Sequence, residues 1–323
     1  MGMRVAIGVD VGGTNIGAAV VTEKGRILRE MVVPTKAREG KAAVIRRIAD
    51  LACAVREKSG LPWKKILGVG VGVPGPVDVK RGILMNPPNL PGWKFVRLKD
   101  ALEKRFPVPV VIENDANAAA FGEYWAGAGR KASSLAVFTL GTGIGGGLIL
   151  NGEIWHGAHG TGAEFGHMTV NGDGVKCACP NIGCVEAYAS SPATERRFAA
   201  MVNAGRRSTL AAAVRAGEEV TTKDIAAAAR RGDAAAREAL AESARYLAHA
   251  ILTVIHGINP EKIVLTGGMI GAGDLLMKPL LATVRKHIYP RPARKTKITF
   301  AQLGDDAGVI GAGGCVFKKF ASS

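Results

Sequence analysis

The chain has 323 residues, 47% hydrophobic and only 5% aromatic, long enough for two domains with cores of aliphatic and alanine side chains. Forty-three Lys and Arg against 27 Asp and Glu leave a net charge of +16, yet no nucleic-acid module is recognisable. The densest basic run, Arg285 to Lys297, is broken by Pro290 and Pro292 and holds one aromatic, Tyr289, so it lacks the stacking platforms of single-strand binders.

No charged, apolar leader precedes the first strand, and apolar stretches are interrupted before they reach spanning length. Five cysteines, three of them clustered, do not read as a secreted disulfide framework. The expected compartment is cytoplasmic, with neither membrane nor nucleic acid as partner.

Residues 4 to about 33 read as a three-strand meander. Its first run, Val5 to Asp10, breaks on Gly12-Gly13-Thr14-Asn15 and resumes as Ile16 to Val21; Glu23-Lys24-Gly25 makes the next turn. Lys41 to Lys58 has helical periodicity, and Ile66 to Val73 is a buried strand stopped by Pro74-Gly75-Pro76. Asn86 to Trp93 is a proline-fixed loop. Val108 to Ile112 is a strand closing on Glu113-Asn114-Asp115, and Ala116 to Ala126 a helix.

The plan then repeats. Leu135 to Leu140 breaks on Gly141-Thr142-Gly143 and resumes as Leu148 to Leu150, with Asn151-Gly152 as a type I′ turn. A Cys-rich loop, alanine-rich helices from Ser191 to about His256, and the strand Lys262 to Thr266 ending in Gly267-Gly268 follow. Asp306 to Phe320 is a helix with a small face, Gly308, Gly311 and Ala312.

A strand follows each glycine-threonine turn, where a P-loop or dinucleotide fold would continue into a helix. Two such hairpins, each able to turn backbone N–H groups toward phosphate, suggest a nucleotide clamped in a cleft between related lobes. Asp10, at the carboxyl end of the first strand, suits Mg²⁺ or phosphate orientation. Asp115 is the candidate general base; Asn and Asp before a helix are also good N-caps, and a helix N-terminus keeps the carboxylate ionised. His167, Cys177, Cys179 and Cys184, spaced H-x₉-C-x-C-x₄-C, suit a closed, structural tetrahedral Zn²⁺ site. Glu164 and Glu186 flank that loop, placed to grip adjacent sugar hydroxyls; His156 and His159 lie near but off the spacing.

These motifs resemble the ROK family of sugar kinases, repressors and open reading frames, within the actin-like/hexokinase ATPase superfamily. Asp10-Val-Gly-Gly-Thr14 and Leu140-Gly-Thr-Gly-Ile-Gly-Gly-Gly147 look like its two phosphate motifs, and Thr266-Gly267-Gly268 like its adenosine motif. The resemblance implies an α/β, two-lobed actin-like (ribonuclease H-like) fold with duplicated mixed-sheet domains and an interdomain cleft. The small domain is expected at 1–114 plus 306–323 and the large one, with the zinc loop, at 115–305.

It further implies Asp115 as catalytic base, and Asn114, Glu164, His167, Glu186 and Asn89 as sugar contacts. Gly12, Gly13, Thr14, Gly141, Thr142, Gly143, Gly267 and Gly268, with Asp10, would serve ATP and Mg²⁺. Pro180 stands where the family usually has Gly, and Ser190-Ser191-Pro192 where it often has Ser-Gly-Thr. The expected activity is ATP-dependent phosphorylation of the 6-hydroxyl of glucose by a homodimer or homotetramer. Another sugar (N-acetylmannosamine, fructose, mannose) and a polyphosphate donor stay open. A sugar-responsive repressor is the rival from another class, but it needs a helix-turn-helix domain ahead of a first strand that begins at about Arg4.

Overall fold

The computed structural model describes residues 4–87, 90, 92–289 and 291–320, without the side chains of 291 and 292. Asn89 lies outside the described residues.

Runs of Val, Ile and Ala produce β1 (Val5–Val11) and β2 (Asn15–Thr22), buried along almost their whole length, and the alternating edge strand β3 (Ile27–Pro34). Helix α1 (Lys41–Lys58) follows, burying Val44, Ile48, Leu51, Ala52 and Val55, the three- and four-residue spacing of one face. Strand β4 (Ile66–Val73) stops at the prolines. A small ribbon of β5 (Val77–Asp78), β6 (Ile83–Leu84) and β7 (Val96–Arg97) then leads into α2 (Leu98–Glu103). Strand β8 (Val110–Asn114) runs directly into α3 (Asp115–Trp125). The sheet order is β3-β2-β1-β4-β8. Because β1, β4 and β8 are parallel, their carboxyl ends gather on one edge: Asp10 faces Gly72, Gly72 faces Glu113, and Val73 faces Asn114. Ligands of open α/β sheets bind at such an edge.

A second five-stranded sheet has the order β11-β10-β9-β12-β13. It uses the hairpin β9 (Ser134–Leu140), β10 (Ile144–Leu150) and β11 (Glu153–Ile154). Asn151 and Gly152 both have positive φ (52° and 77°), as a type I′ turn requires. The alanine-rich stretch resolves into the short α4 (Glu186–Ala189), α5 (Ser191–Asn203), α6 (Ala211–Arg215), α7 (Thr222–Arg230) and the 24-residue α8 (Ala234–Gly257). Strand β12 (Lys262–Thr266) ends as expected; α9 (Asp274–His287) and β13 (Lys297–Phe300), parallel to β12, complete this half.

The last helix, α10 (Ala307–Phe320), is buried from Ala307 to Phe317. Glycines make this possible: a Cβ at Gly8 would overlap the Val309 carbonyl, and one at Gly70 the Ala312 carbonyl. Gly122 of α3 and Gly311 of α10 meet the facing backbone in the same way. Two compact units result, Met1–Leu135 with Gly147–Ala163 and Ala301–Ser323, and Ala136–Gly146 with Glu164–Phe300. The sequence divides the chain at 114/115; in the structure α3 stays with the first unit, because it packs on α10 at backbone distance.

Candidate functional site

In the first unit, the edge where β1, β4 and β8 end carries Asp10, Asn114 and Asp115. Asn114 is the N-cap of α3: its Oδ1 accepts from Asn117 N (3.0 Å) and its Nδ2 donates to the Gly75 carbonyl (3.1 Å). Asp115 is therefore the first helical residue, with Oδ1 accepting from Ala116 N at 2.8 Å. Gly72 separates the two aspartates; a Cβ there would lie 3.6 Å from both Asp10 Oδ1 and Asp115 Cα. Burial, with the Asp115 charge added, pushes the Asp10 carboxyl from its ordinary 3.8 up to about 7. A cation beside Asp10 would relieve both effects.

The turn Gly12-Gly13-Thr14 is solvent-accessible and tied down by Thr35, which is fully buried. The Thr35 hydroxyl donates to the Gly12 carbonyl (2.6 Å) and its N–H to the Thr14 carbonyl (2.7 Å); Arg47 of α1 donates to the Thr35 carbonyl (2.7 Å).

The second unit holds the other cluster. Glu186, opening α4, accepts from Ile144 N at 2.8 Å, and a Cβ at Gly143 would lie 2.6 Å from the same oxygen. Gly145 N donates to Thr139 Oγ1 (3.0 Å) and Ser191 N to the Gly141 carbonyl (2.9 Å). Ser190 caps α5, so Ser190-Ser191-Pro192 forms a helix start against the turn. Gly267 (φ 91°) packs on the Leu140 carbonyl, bringing Gly267-Gly268 to the end of the strand that enters the turn.

His167 follows the exposed Glu164 through a 3-10 turn, Phe165–His167, in which Gly166 has no room for a Cβ beside the Ile144 carbonyl. The ligand atoms of His167, Cys177, Cys179 and Cys184 lie within 4.8 Å of one another, a group that could hold a metal ion. Cys179 and Cys184 sulfurs are 3.6 Å apart, and Cys177 Sγ is 3.8 Å from His167 Nδ1. Burial pushes the Cys184 thiol up to about 12 and Cys177 upward, whereas the Asn181 backbone draws Cys179 down. Pro180 is accommodated in a hairpin closed by Cys177 N donating to the Asn181 carbonyl (3.0 Å).

The ROK family profile matches residues 6–318. The chain belongs to the ROK family. A glucokinase of Halalkalibacterium halodurans is 39% identical over 99% of this chain and 97% of its own. A glucokinase of Thermotoga maritima is 38% identical over 97% of each. Among solved structures, a ROK family glucokinase from Streptomyces griseus in complex with glucose and AMPPNP superimposes with a TM-score of 0.80. It is 35% identical and covers 99% of this chain and 100% of its own. The fold is thus that of the ROK sugar kinases, the actin-like ATPase fold.

Two supports of these corners escape motif reading: Thr35 and the pairing of Glu113 with His156. Glu113 Oε1 accepts from Asn114 N (2.9 Å) and Asn117 Nδ2 (3.3 Å), and its Oε2 accepts from His156 Nε2 (2.8 Å). Glu113 stands inside the quoted Glu-Asn-Asp motif, but its partner is 43 residues away, a separation that no local signal reports.

Proposed function

We propose that this ROK protein is an ATP-dependent glucokinase, transferring the γ-phosphoryl group of ATP to the 6-hydroxyl of glucose. The observation that carries this reading is similarity at 38–39% identity to two glucokinases, over 97–99% of this chain and 97% of theirs. Asp115 is the base: fixed on the first turn of α3, it orients the sugar hydroxyl and accepts its proton late, so position matters more than basicity. The Asn114 side chain uses one donor on the Gly75 carbonyl and one lone pair on Asn117 N, which holds the corner rigid, and keeps a second of each to serve the sugar with Glu164, His167 and Glu186.

The turns Gly12–Thr14 and Gly141–Gly143 take the phosphates through backbone N–H groups, and Gly267-Gly268 the adenosine side. Mg²⁺ at Asp10 supplies electrostatic neutralisation of the phosphates; the buried, high-pKa carboxyl fits that need. Zn²⁺ suits the Cys₃His group, since tetrahedral Zn–S bonds of about 2.3 Å set sulfurs about 3.7 Å apart, close to the 3.6 Å between Cys179 and Cys184. With no open position, such a metal is structural and fixes the loop between His167 and Glu186. Among the described residues no helix is long and apolar enough to cross a membrane; a cytoplasmic homodimer or homotetramer is proposed from the resemblance to the family alone.

The test is ADP release with ATP or polyphosphate across glucose, mannose, fructose and N-acetylmannosamine. Glucose with ATP is expected to give the highest kcat/KM, and Asp115→Ala to remove at least about 10²-fold of kcat while sugar binding persists. Wild-type turnover in that variant sinks the base assignment; another sugar or donor ahead of glucose and ATP sinks the substrate assignment.

A further inference from the structure

Glu113 is a carboxylate only 3% exposed, placed immediately before the Asn114-Asp115 corner. One of its oxygens holds the Asn114 amide and the Asn117 side chain, and the other receives His156 Nε2 at 2.8 Å. An ionised carboxylate only accepts, so the imidazole is the donor. His156 is itself held from behind. Its carbonyl accepts from Gly162 N (2.8 Å), and a Cβ at Gly162 would lie 2.9 Å from the His156 carbonyl carbon, so the loop 156–162 closes tightly on it. Asn117 returns to the same corner, donating its backbone N–H to the Asn114 side chain. The result is a closed circuit from the loop after β11, through a buried charge, to the first turn of α3.

We infer that His156 and Glu113 are positioning residues for phosphoryl transfer: the imidazole fixes the Glu113 carboxylate, which fixes the backbone and first turn that aim Asp115. The inference rests on the reading of Asp115 as base. Without the imidazole, one oxygen of the buried Glu113 loses its donor and is left unsatisfied, and the side chain relaxes toward a new partner, carrying the Asn114 amide with it. Charge assistance favours the pair: the Glu113 hydrogen bond holds the imidazole proton above its usual range against the effect of burial, with the Glu113 and Glu153 charges helping. Displacement of an aimed group by even 1 Å costs on the order of 10²-fold in rate, whereas sugar contacts elsewhere are untouched. The signature is therefore a fall in kcat with a steady KM.

The test is steady-state kinetics with glucose and ATP on His156→Ala, His156→Gln, Glu113→Gln and the double variant His156→Ala/Glu113→Gln, with thermal midpoints measured alongside. His156→Ala and Glu113→Gln are each expected to lower kcat about 10- to 100-fold with the sugar KM within about threefold. His156→Gln, whose amide nitrogen takes the place of Nε2, is expected to recover kcat to within about fivefold of wild type, and the double variant to be no slower than Glu113→Gln alone. Wild-type kcat in His156→Ala or Glu113→Gln, or losses that multiply in the double variant, overturns the inference. Should the alanine variant fold poorly, Glu113→Gln and His156→Gln still decide it. Asp115→Asn is run beside them: wild-type kcat there removes the base itself, a failure distinct from intact catalysis in the His156 variants.

Discussion

The two glycine-threonine turns look alike in sequence, but only the second has a charged anchor. At Gly12–Thr14 the anchor, Thr35, is a neutral donor that seizes the carbonyls of Gly12 and Thr14. At Gly141–Gly143 Ser191 N also holds a carbonyl, that of Gly141, but acceptors grip the amides just past the turn, Glu186 that of Ile144 and Thr139 that of Gly145. Tying carbonyls orients amides outward with no added charge. Tying amides to a carboxylate puts an anion beside a turn proposed to take phosphate, so the second turn is expected to be the more sensitive to its anchor. Neither turn uses its glycines for a left-handed backbone; Gly12, Gly13, Gly141 and Gly143 all keep negative φ. Their use is approach, as at Gly143, where a side chain would displace Glu186.

The largest effect is expected where the anchor is charged. Glu186→Ala leaves the Ile144 N–H without its acceptor and removes a proposed sugar contact, so kcat/KM for glucose is expected to fall at least about 100-fold, roughly 3 kcal/mol. A loss under tenfold in the coupled assay would show that the carboxylate is not what sets the second turn.

Thr35→Val breaks the first turn in the milder way, deleting one hydroxyl while keeping shape. Leaving the Gly12 carbonyl unsatisfied is expected to destabilise the chain by about 1–2 kcal/mol and to raise the KM for ATP several-fold, with kcat for bound substrate nearly unchanged. Thr35→Ser is expected to restore both. An unchanged ATP KM in the valine variant would mean that the Thr35 amide and Arg47 suffice.

Much of this was legible before the structure. Apolar runs broken by glycine or proline in Val5 to Val21 and Ile66 to Val73, and helical spacing in Lys41 to Lys58, located their elements within a residue or two. A strand buried on both faces leaves an unbroken apolar run, and a helix buried on one face leaves a period. The strand Lys262–Thr266 was legible for the same reason. Helix α9 was hidden by Pro279 in its second turn, and β13 by lying directly behind the basic, proline-broken run. In the site, the residues with signature neighbours stood out: the Cys₃His set and the Glu-Asn-Asp corner. Thr35 and His156 did not, since the side chain of each acts on a partner 23 or 43 residues away, beyond any local pattern. Whether Asn114 or Asp115 capped α3 was likewise undecidable from residue type, as both are good caps; the Asn114 side-chain oxygen, accepting from Asn117 N, settles it.

Charge near the first turn comes from the strand, through Asp10, and its sign is testable by pH. Folding raises the Asp10 pKa from 3.8 to about 7, so the folded chain binds that proton more tightly than the unfolded one. The stability this gives is complete below about pH 3.8 and is lost as pH rises through 7. Asp10→Asn cannot lose it. The melting temperature of the variant minus that of wild type is therefore expected to climb between pH 4 and 7 and then level off, and Mg²⁺ is expected to narrow the gap by stabilising only wild type. A difference that stays flat with pH would show that the Asp115 field and burial do not act on Asp10.

The smallest effect reverses what the turns suggest about glycine. Just before Glu164, the left-handed conformation is adopted by Ala163 (φ 64°), while its neighbour is the glycine, Gly162. Gly162 sits there for space, since a Cβ would press on His156 and on Gly157 N at about 3 Å. Alanine in a left-handed conformation costs about 1–2 kcal/mol, part of which glycine would return as extra freedom of the unfolded chain. Ala163→Gly is expected to stabilise by about 0.5–1 kcal/mol, and Gly162→Ala to destabilise by more than that, in urea unfolding of the two variants. If both substitutions shift the midpoint the same way, strain at 163 is not stored against the packing at 162, and glycine is used here as it is in the two glycine-threonine turns, for approach alone.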